Sequence, residues 1–380
     1  MRDVVVVGGG PVGLFLGALL AERGLDVAVW ERREAPGASS RAIGIHPPSL
    51  AAFDRVGVAD AVAAEAVRVR RGIARSGRRT LGVVPFAGVH PRFDFVAALP
   101  QLRTEAMLEA RLAELAPGAL QRGVELVAVD DADPSRVRLV ARASGVESSE
   151  VARFVVGADG PRSTVRGHLG VAAALRSYPD PYVMGDFRDD TGSGDDAVVH
   201  LEGDGVVESF PLPGGARRFV VHTGTRLQDA TAEDVARLVS ERTGSPVDPA
   251  TNTMLSGFVA RRRIADRTVR GRLALVGDAA HEISPIGGQG MNLGWLDALE
   301  LAPLIVAAVA KGAVDEGALT AWGARRLGAA RRAAGQAEAN MALGRPVGAA
   351  RRVVRDTALS AVLATPARRT LARAYSMAWT

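Results

Sequence analysis

A glycine-rich turn between two apolar runs is the feature that most constrains the fold of this chain. Residues 3–7 read DVVVV and predict a buried strand, and GGGPVGLFLGALLAERG then predicts a turn that leads into an apolar helix. A second strand is predicted at 25–31, LDVAVWE. Strand, glycine turn, helix and strand in this order predict a βαβ unit, and therefore an α/β fold built on parallel strands.

The spacing of the glycines in this turn indicates a dinucleotide-binding loop. Gly8, Gly10 and Gly13 form a G-x-G-x-x-G pattern. The first glycine allows the tight turn, the second lets the backbone approach a pyrophosphate, and the third lets helix and strand pack closely. Glu31 ends the second strand, where an acid can accept hydrogen bonds from ribose hydroxyls and disfavours a 2′-phosphate. We therefore expect FAD or NAD, and not NADP, at this loop.

Two further glycine-rich segments each follow an apolar run. One is FVVGADGPRSTVRGHLG at 154–170, and the other is GDAAHEISPIGGQGMN at 277–292, directly after RLALV. A nicotinamide dehydrogenase needs only one such motif. Several strand ends that converge on one ligand suit a longer cofactor with a ring system to be held, which favours FAD.

The remaining pattern predicts a second sheet and a helical end. Strand-like runs separated by Gly, Pro and Asp turns occupy about 176–260, and they predict an inserted antiparallel sheet. After 293 the pattern is helical. The predicted division is an FAD-binding domain in 1–75, 96–175 and 261–320, a substrate-binding sheet domain in 76–95 and 176–260, and C-terminal helices in 321–380.

Composition excludes several classes of function. The 380 residues contain no cysteine, so disulfides, thiolate metal sites and cysteine nucleophiles are ruled out, and we expect no metal. The net charge of +5 comes from dispersed basic residues without interleaved aromatic platforms, so we expect no nucleic-acid partner. The sequence shows no signal peptide, and the apolar run at 301–310 is too short to span a bilayer. We therefore expect a cytoplasmic protein, a monomer or homodimer, whose Arg-rich helices after 324 present a solvated face in preference to a membrane-binding one.

The three glycine motifs, in this order, resemble those of the class A flavoprotein monooxygenases, the para-hydroxybenzoate hydroxylase-like family. The resemblance implies a Rossmann-like, GR2-type FAD-binding domain with an inserted antiparallel-sheet substrate domain and a C-terminal helical region. It implies that the last motif lies against the isoalloxazine ring, with a helix that starts near residue 291 facing the edge that becomes anionic on reduction. The residues that it places around the cofactor are Gly8, Gly10, Gly13, Glu31, Arg32, Arg41, Gln101, Asp159, Gly160, Asp278, Pro285, Gly287, Gly288, Gly290, Met291 and Asn292.

The same resemblance implies a chemistry. NADPH or NADH reduces FAD, and molecular oxygen then forms a C4a-hydroperoxyflavin that hydroxylates an electron-rich aromatic, quinone or polyketide-like small molecule. Two alternatives stay open: a flavin-dependent dehydrogenase or reductase without oxygen insertion, and a non-catalytic FAD-bound scaffold. Pro303 departs from the family, since it should kink a helix that relatives keep unbroken. From the length we expect no C-terminal thioredoxin-like domain of the kind that some larger relatives have.

Three residues are candidates for roles in catalysis. Pro285 is expected to line the reaction side of the ring, and His46 and His222 to approach the substrate. Strand alternation could equally direct His200 toward the substrate, whereas His281 is expected to pack behind the glycine loop. No acid or base for a phenolic substrate can be assigned from the sequence.

Overall fold

The structure is a computed structural model that describes residues 1–37, 42–227 and 229–379. The strands of this part of the chain are β1 Arg2–Val7, β2 Val27–Glu31, β3 Gly44–Ile45, β4 Val67–Val69, β5 Arg71–Ser76, β6 Arg79–Pro85, β7 Val96–Ala98, β8 Leu120–Arg122, β9 Val124–Asp130, β10 Val137–Ala143, β11 Val146–Gly157, β12 Leu175–Arg188, β13 Ala197–His200, β14 Val207–Leu212, β15 Ala216–His222, β16 Met254–Ile264, β17 Val269–Arg270, β18 Leu273–Leu275 and β19 His281–Glu282. The helices are α1 Pro11–Ala21, α2 Pro47–Phe53, α3 Ala59–Glu65, α4 Gln101–Leu115, α5 Thr164–His168, α6 Ala232–Thr243, α7 Gln289–Lys311, α8 Glu316–Gly344, α9 Ala349–Leu363 and α10 Ala367–Tyr375.

The first sheet contains the predicted βαβ unit at its centre. Its order is β17-β18-β11-β1-β2-β8, with β9 and β10 attached through β11, and β1 is parallel to both β2 and β11. The valines of β1 alternate between two cores: Val4 and Val6 pack with α1 and α7, whereas Val5 and Val7 pack with β10 and α5. A parallel strand covered on both faces reads as an unbroken apolar run, which explains the sequence DVVVV. The predicted α/β fold is confirmed.

The second sheet forms the wall of the other half of the molecule. Its order is β19-β16-β12-β15-β14-β13-β5-β6, and its pairs are antiparallel except for β13 with β5, which is parallel. The sheet includes Arg71–Ser76, of which the predicted division places all but Ser76 in the FAD-binding domain. It also includes β19, which pairs with the end of β16. The short segment between β18 of the first sheet and α7 therefore contributes one strand to the second sheet.

The C-terminal helices pack against the two sheets. Helix α7 runs 23 residues through Pro303 without interruption and begins at Gln289, close to the predicted start near residue 291. By length and composition α7 could cross a membrane, but its most apolar stretch is 56% buried, as expected for a core helix. At the far end, Leu363 of α9 packs so closely on β6 that a Cβ on Gly82 would lie 2.4 Å from the Leu363 Cβ.

Candidate active site

The glycine turn after β1 lies at one end of a large cavity. Gly8 has a φ of +111°, and a Cβ there would lie 2.3 Å from the Ala158 carbonyl oxygen. A Cβ on Gly13 would lie 1.8 Å from the Gly8 oxygen, so Gly13 is needed for packing and does not line the cavity. Gly10 differs from both, because a Cβ there would meet no atom within 4 Å and would point into open cavity. The cavity space beside the turn is therefore open because Gly10 has no side chain to fill it.

The acid at the end of β2 is fixed to this turn. The Glu31 carboxylate accepts a hydrogen bond of 3.0 Å from the Gly9 N–H and one of 2.9 Å from the Arg33 guanidinium. Burial by itself would raise the pKa of Glu31, but the bonds from Arg33 outweigh it and the pKa is lowered. The carboxylate is thus ionised at the cavity wall and retains lone pairs for ligand hydroxyls. Arg32 lines the cavity beside it.

The second glycine motif contributes a buried oxygen that has no partner. Asp159 Oδ2 accepts a hydrogen bond of 2.7 Å from the Thr164 N–H at the start of α5. Asp159 Oδ1 is buried and accepts no hydrogen bond from the described residues. Burial raises the pKa of this carboxyl. Since a buried acceptor is costly when unsatisfied, Oδ1 and the neighbouring Gly160 form a place for a ligand hydroxyl or N–H.

The third motif supplies the longest stretch of cavity wall. Asp278, Pro285, Gly287, Gly288 and Met291 line it, together with Gly290. The Asp278 side chain is exposed to the cavity, yet protein surrounds that space and the resulting desolvation raises its pKa to about 6. Gly288 precedes α7 with a φ of +67° and provides no side-chain cap. The first-turn N–H groups of α7 are thus left for a ligand.

Asn292 holds the third motif in place from behind. Its Oδ1 accepts a hydrogen bond of 2.8 Å from the His46 N–H, and its Nδ2 donates to the carbonyls of Gly44 and Gly288. The side chain is fully buried and does not line the cavity. The Asn292 side chain therefore joins α7 to β3 through hydrogen bonds and does not lie at the predicted cofactor contact.

His46 lines the cavity next to Asn292. Neither ring nitrogen has a hydrogen-bond partner among the described residues, although the backbone of Gly287 and Gly288 lies close to the ring. Burial lowers the pKa of His46 to about 4, so the imidazole is neutral at physiological pH. A neutral imidazole with two open nitrogens can donate to one ligand group and accept from another.

His281 belongs to a buried charge cluster under the same motif. Its Nε2 lies 2.6 Å from Asp297 Oδ2, and Arg326 donates to Asp297 Oδ1 at 2.7 Å. Asp297 also accepts a hydrogen bond from the Gly277 N–H. Burial opposes ionisation of Asp297, but the positive charges of His281 and Arg326 lower its pKa to about 2. The cluster anchors the glycine loop from the side away from the cavity, where His281 was expected.

His222 does not reach the cavity. It shares a strand face with Arg218 and Val220, which do line the cavity, but the turn at Gly205 covers it: a Cβ on Gly205 would lie 2.9 Å from the His222 Nδ1. Its Nε2 lies 3.5 Å from Asp180. The structure therefore removes His222 from the candidates near a substrate. His200 does not line the cavity either, whereas its neighbour Val199 does.

The predicted cofactor residues otherwise converge on one cavity of about 1280 Å³. Gln101 lines it from the start of α4 and donates to Glu105 at 2.7 Å. Arg41 lies outside the described residues. Contact with a cofactor stays a prediction for all of these residues. Those that the structure brings together are Gly8, Gly10, Glu31, Arg32, Gln101, Asp159, Gly160, Asp278, Pro285, Gly287, Gly288, Gly290 and Met291.

The same cavity continues to the second sheet, where its wall becomes apolar. The sheet contributes side chains from β13, β14 and β15, and the C-terminal helices contribute the facing wall. These side chains include Val199, Phe210, Val220, Leu359, Leu363, Leu371 and Tyr375. The sequences of α9 and α10 show only amphipathic faces and not what those faces cover, so the contribution of these helices to the site could not be predicted.

Glu208 is the residue of this apolar half that sequence reasoning missed. It lies on β14 and faces the cavity together with Phe210, while Ser209 between them accepts a hydrogen bond from Arg217 on the other face. Burial raises the pKa of Glu208 to about 7. The available signal was an acidic residue within the strand-like run GVVESFPL, where alternation allows one face to meet a cavity.

The residues present fit FAD on the observations above. Gly10 leaves space where a Cβ would fill it, Asp159 offers an orphaned buried oxygen, and α7 begins without a side-chain cap. The cavity is also long enough to continue past these groups into an apolar compartment. Among the described residues, no group of three or more His, Asp or Glu side chains is arranged to hold a metal ion.

Known proteins resemble this chain in sequence and fold. Residues 1–337 match the family described as the FAD binding domain. The chain is 35% identical over 336 residues to 6-methylpretetramide 4-monooxygenase from Streptomyces rimosus, an alignment that covers 86% of this chain and 59% of that protein. The chain thus spans less than two thirds of the length of this relative.

Two solved structures share the fold over nearly the whole chain. The p-nitrophenol 4-monooxygenase from Pseudomonas putida DLL-E4 superposes with a TM-score of 0.87 at 25% identity, covering 100% of this chain and 97% of that one. The anhydrotetracycline hydroxylase from Streptomyces rimosus superposes with a TM-score of 0.79 at 30% identity, covering 99% of this chain and 76% of that one.

Proposed function

Because this chain belongs to the FAD binding domain family of the class A flavoprotein monooxygenases, we propose that it hydroxylates an electron-rich aromatic or polyketide-like small molecule. FAD would be the cofactor, NADPH or NADH the reductant and molecular oxygen the second substrate. The observation that carries the proposal is the continuity of the cavity. One end has the glycine turn and the uncapped start of α7, and the other end is an apolar compartment of suitable chemistry for such a substrate.

When bound, FAD would accept a hydride from the nicotinamide and activate oxygen for insertion into the substrate. The residues around it bind and orient. The open space at Gly10 would admit the pyrophosphate, and Glu31 and Asp159 would accept hydrogen bonds from ribose and ribityl hydroxyls. The first-turn N–H groups of α7 would stabilise negative charge that develops on the ring during reduction.

The substrate end of the cavity would exclude water from the reaction. Valines and leucines of the second sheet, α9 and α10 line it, and these side chains offer no hydrogen bonds to solvent. An apolar enclosure of this kind protects a reactive oxygen donor from hydrolysis and lets a flat polycyclic substrate bind by burial of its surface. Pro285 would contact the reaction side of the ring between the two ends.

The family relationship supports the proposal as well. The curated relative in Streptomyces rimosus and the two superposed structures carry the names of monooxygenases or hydroxylases of aromatic or tetracycline-type compounds. We extend that activity to this chain, with NADH and NADPH as alternatives for the reductant.

Oxygen isotopes test the proposal. FAD-loaded protein is first screened for compounds that accelerate flavin reduction by NADPH or NADH, using phenols, quinones and polycyclic aromatics. The best compound is then turned over under ¹⁸O₂ and the product is analysed by mass spectrometry. One ¹⁸O atom per product molecule is expected. Turnover to an unlabelled product would support a reductase instead, and flavin that neither nucleotide reduces would support a non-catalytic role.

A further inference from the structure

Glu208 is placed where a substrate hydroxyl would meet the apolar wall. Across the sheet it pairs with Val199 on β13 and with Val220 on β15, and both valines line the cavity. Its side chain is partly exposed to the cavity and not to the outer surface. The acidic group thus has hydrocarbon side chains directly opposite it on both neighbouring strands.

Other buried acids of this half of the molecule have partners, which sets Glu208 apart. Asp180 is bound by both ends of the Arg345 guanidinium at 2.8 Å, and Asp186 by Arg218 at 2.6 and 2.7 Å. Glu202 is bound by Arg352 at 2.8 Å. Within the described part of the chain, no cation or hydrogen-bond donor is bound to Glu208, and desolvation alone acts on its ionisation. A carboxyl group in this position is therefore available to a ligand in the cavity.

The ionisable groups near Glu208 are bound to other residues or keep their own protons, so a ligand is left as the group that can exchange a proton with Glu208. Among the described residues, Tyr182 from β12 and Tyr375 from α10 interact electrostatically with Glu208, and Arg218 from β15 lines the same cavity. The Tyr375 hydroxyl donates to Asn340 at 2.9 Å, and Arg218 is engaged by Asp186. Burial raises the pKa of Tyr182 far above its usual range, so its phenol keeps its proton. With its own pKa raised to about 7, Glu208 can accept a proton at physiological pH.

We propose that Glu208 binds a phenolic or enolic hydroxyl of the substrate and accepts its proton. The substrate class is therefore a largely apolar, polycyclic compound that carries such a hydroxyl. The substrate O–H bond breaks as the proton passes to a carboxylate oxygen of Glu208, and the electron pair stays on the substrate oxygen. No electron is transferred in this step. The resulting oxyanion enriches the conjugated ring in electrons, which favours attack on an electrophilic oxygen donor. This inference rests on the proposed function, since it assigns the substrate end of the same cavity.

Matched ligands test the assignment without turnover. FAD-loaded protein is titrated with 2-hydroxyanthraquinone and with 2-methylanthraquinone, which has nearly the same size but no donor, and binding is followed by the flavin absorbance. The hydroxyl compound is expected to bind about tenfold or more tightly, as for a hydrogen bond to a charged group. Between pH 6 and 8, its absorption band should report deprotonation on binding.

Two variants and one control make the result specific. Glu208→Leu should bring the affinity ratio of the two ligands to about one. Glu208→Gln, which still accepts a hydrogen bond, should keep part of the ratio but lose the deprotonation signal. Glu241→Gln, at an exposed position of α6, removes the same charge and should change neither. FAD content and circular dichroism confirm that each variant is folded.

Several outcomes would overturn the assignment. They are equal affinities for the two ligands in the wild type, a hydroxyl preference that survives in Glu208→Leu, and tighter binding of the cationic 2-aminomethyl analogue than of the hydroxyl compound. The proposed function fails separately: absence of ¹⁸O in the wild-type product would refute hydroxylation, whereas it leaves the ligand ratio unchanged.

Discussion

Replacing Gly10 by valine should abolish FAD retention while leaving the apoprotein folded. Gly10 has an extended backbone, with φ −79° and ψ −176°, that any residue can adopt, and its Cβ would meet no protein atom within 4 Å. Replacing a glycine lowers the conformational entropy of the unfolded chain, which stabilises the folded protein by about 0.4–1 kcal/mol. Loss of glycine at the N-cap of α1 costs roughly the same amount. The free energy of unfolding of the apoprotein should therefore change by less than about 1 kcal/mol.

The effect on the cofactor should be much larger. The three carbon atoms of the valine side chain would occupy cavity space beside the α1 N-terminus, where the backbone N–H groups would otherwise contact a pyrophosphate. Each hydrogen bond to a charged group is worth about 1.5–3 kcal/mol. Loss of two such bonds amounts to roughly 3–6 kcal/mol, which corresponds to an increase in Kd of about a hundred- to ten-thousandfold.

The measurement separates binding from folding. Apoprotein is titrated with FAD by fluorescence quenching, and the thermal unfolding of the apoprotein is followed by circular dichroism. Gly328→Val, at an exposed position of α8 where a Cβ also meets nothing within 4 Å, is the matched control. Gly13→Ala should do the reverse and destabilise the apoprotein, because its Cβ would lie 1.8 Å from the Gly8 oxygen. A wild-type Kd for FAD in Gly10→Val would refute the prediction that the pyrophosphate of FAD lies against Gly10.

Three further expectations concern the buried charge cluster and the apolar half of the cavity. Asp297→Asn removes the fully buried carboxylate that pairs with both Arg326 and His281, and it should lower the free energy of unfolding in urea by about 3–5 kcal/mol, whereas Glu300→Gln, at the solvent-accessible pair of Arg326, should cost under about 1 kcal/mol. In acid, Asp297 should contribute to a fall in wild-type stability as the pH drops from 3.8 toward 2, because the folded state lowers its pKa to about 2, and this acid dependence should be shallower in Asp297→Asn. Val199→Phe should weaken binding of 2-hydroxyanthraquinone by about tenfold or more, because the larger side chain overpacks the cavity wall. The Kd of FAD should stay within twofold of wild type. Unchanged anthraquinone binding would show that the substrate does not bind against Val199.

The parts of the site that the sequence predicts are those made by backbone. The glycine turn after β1 is recognisable because only glycine tolerates the positive φ of Gly8 and the contact at Gly13. Glu31 is recognisable because a strand end fixes its distance from that turn. These features are local, so the order of residues along the chain is enough to predict them.

Side-chain direction is what the sequence does not contain. Asn292 is the last residue of the third motif, as expected, yet its side chain turns away to bind His46 and Gly44. His222 lies on the cavity-facing side of β15 by alternation, but the Gly205 turn, which comes earlier in the chain and is joined to α8 through its neighbour Val206, covers it. Such contacts depend on how distant segments meet, and alternation alone cannot distinguish a covered position from an open one.

The charges on the substrate side of the cavity favour a neutral ligand over a carboxylate. Arg218 lines this wall, but its Nε and one terminal nitrogen donate to the oxygens of Asp186. Arg226 and Arg261 also line the cavity, at exposed positions where water and salt screen their charge. A ligand carboxylate about 4 Å from ionised Glu208 would be repelled by about 4 kcal/mol at an effective dielectric constant near 20. A neutral polycyclic ligand avoids this repulsion and gains about 25 cal/mol for each Å² of apolar surface that it buries. Selection in this cavity should therefore depend on shape and apolar area, with one hydrogen bond at Glu208 to set the orientation.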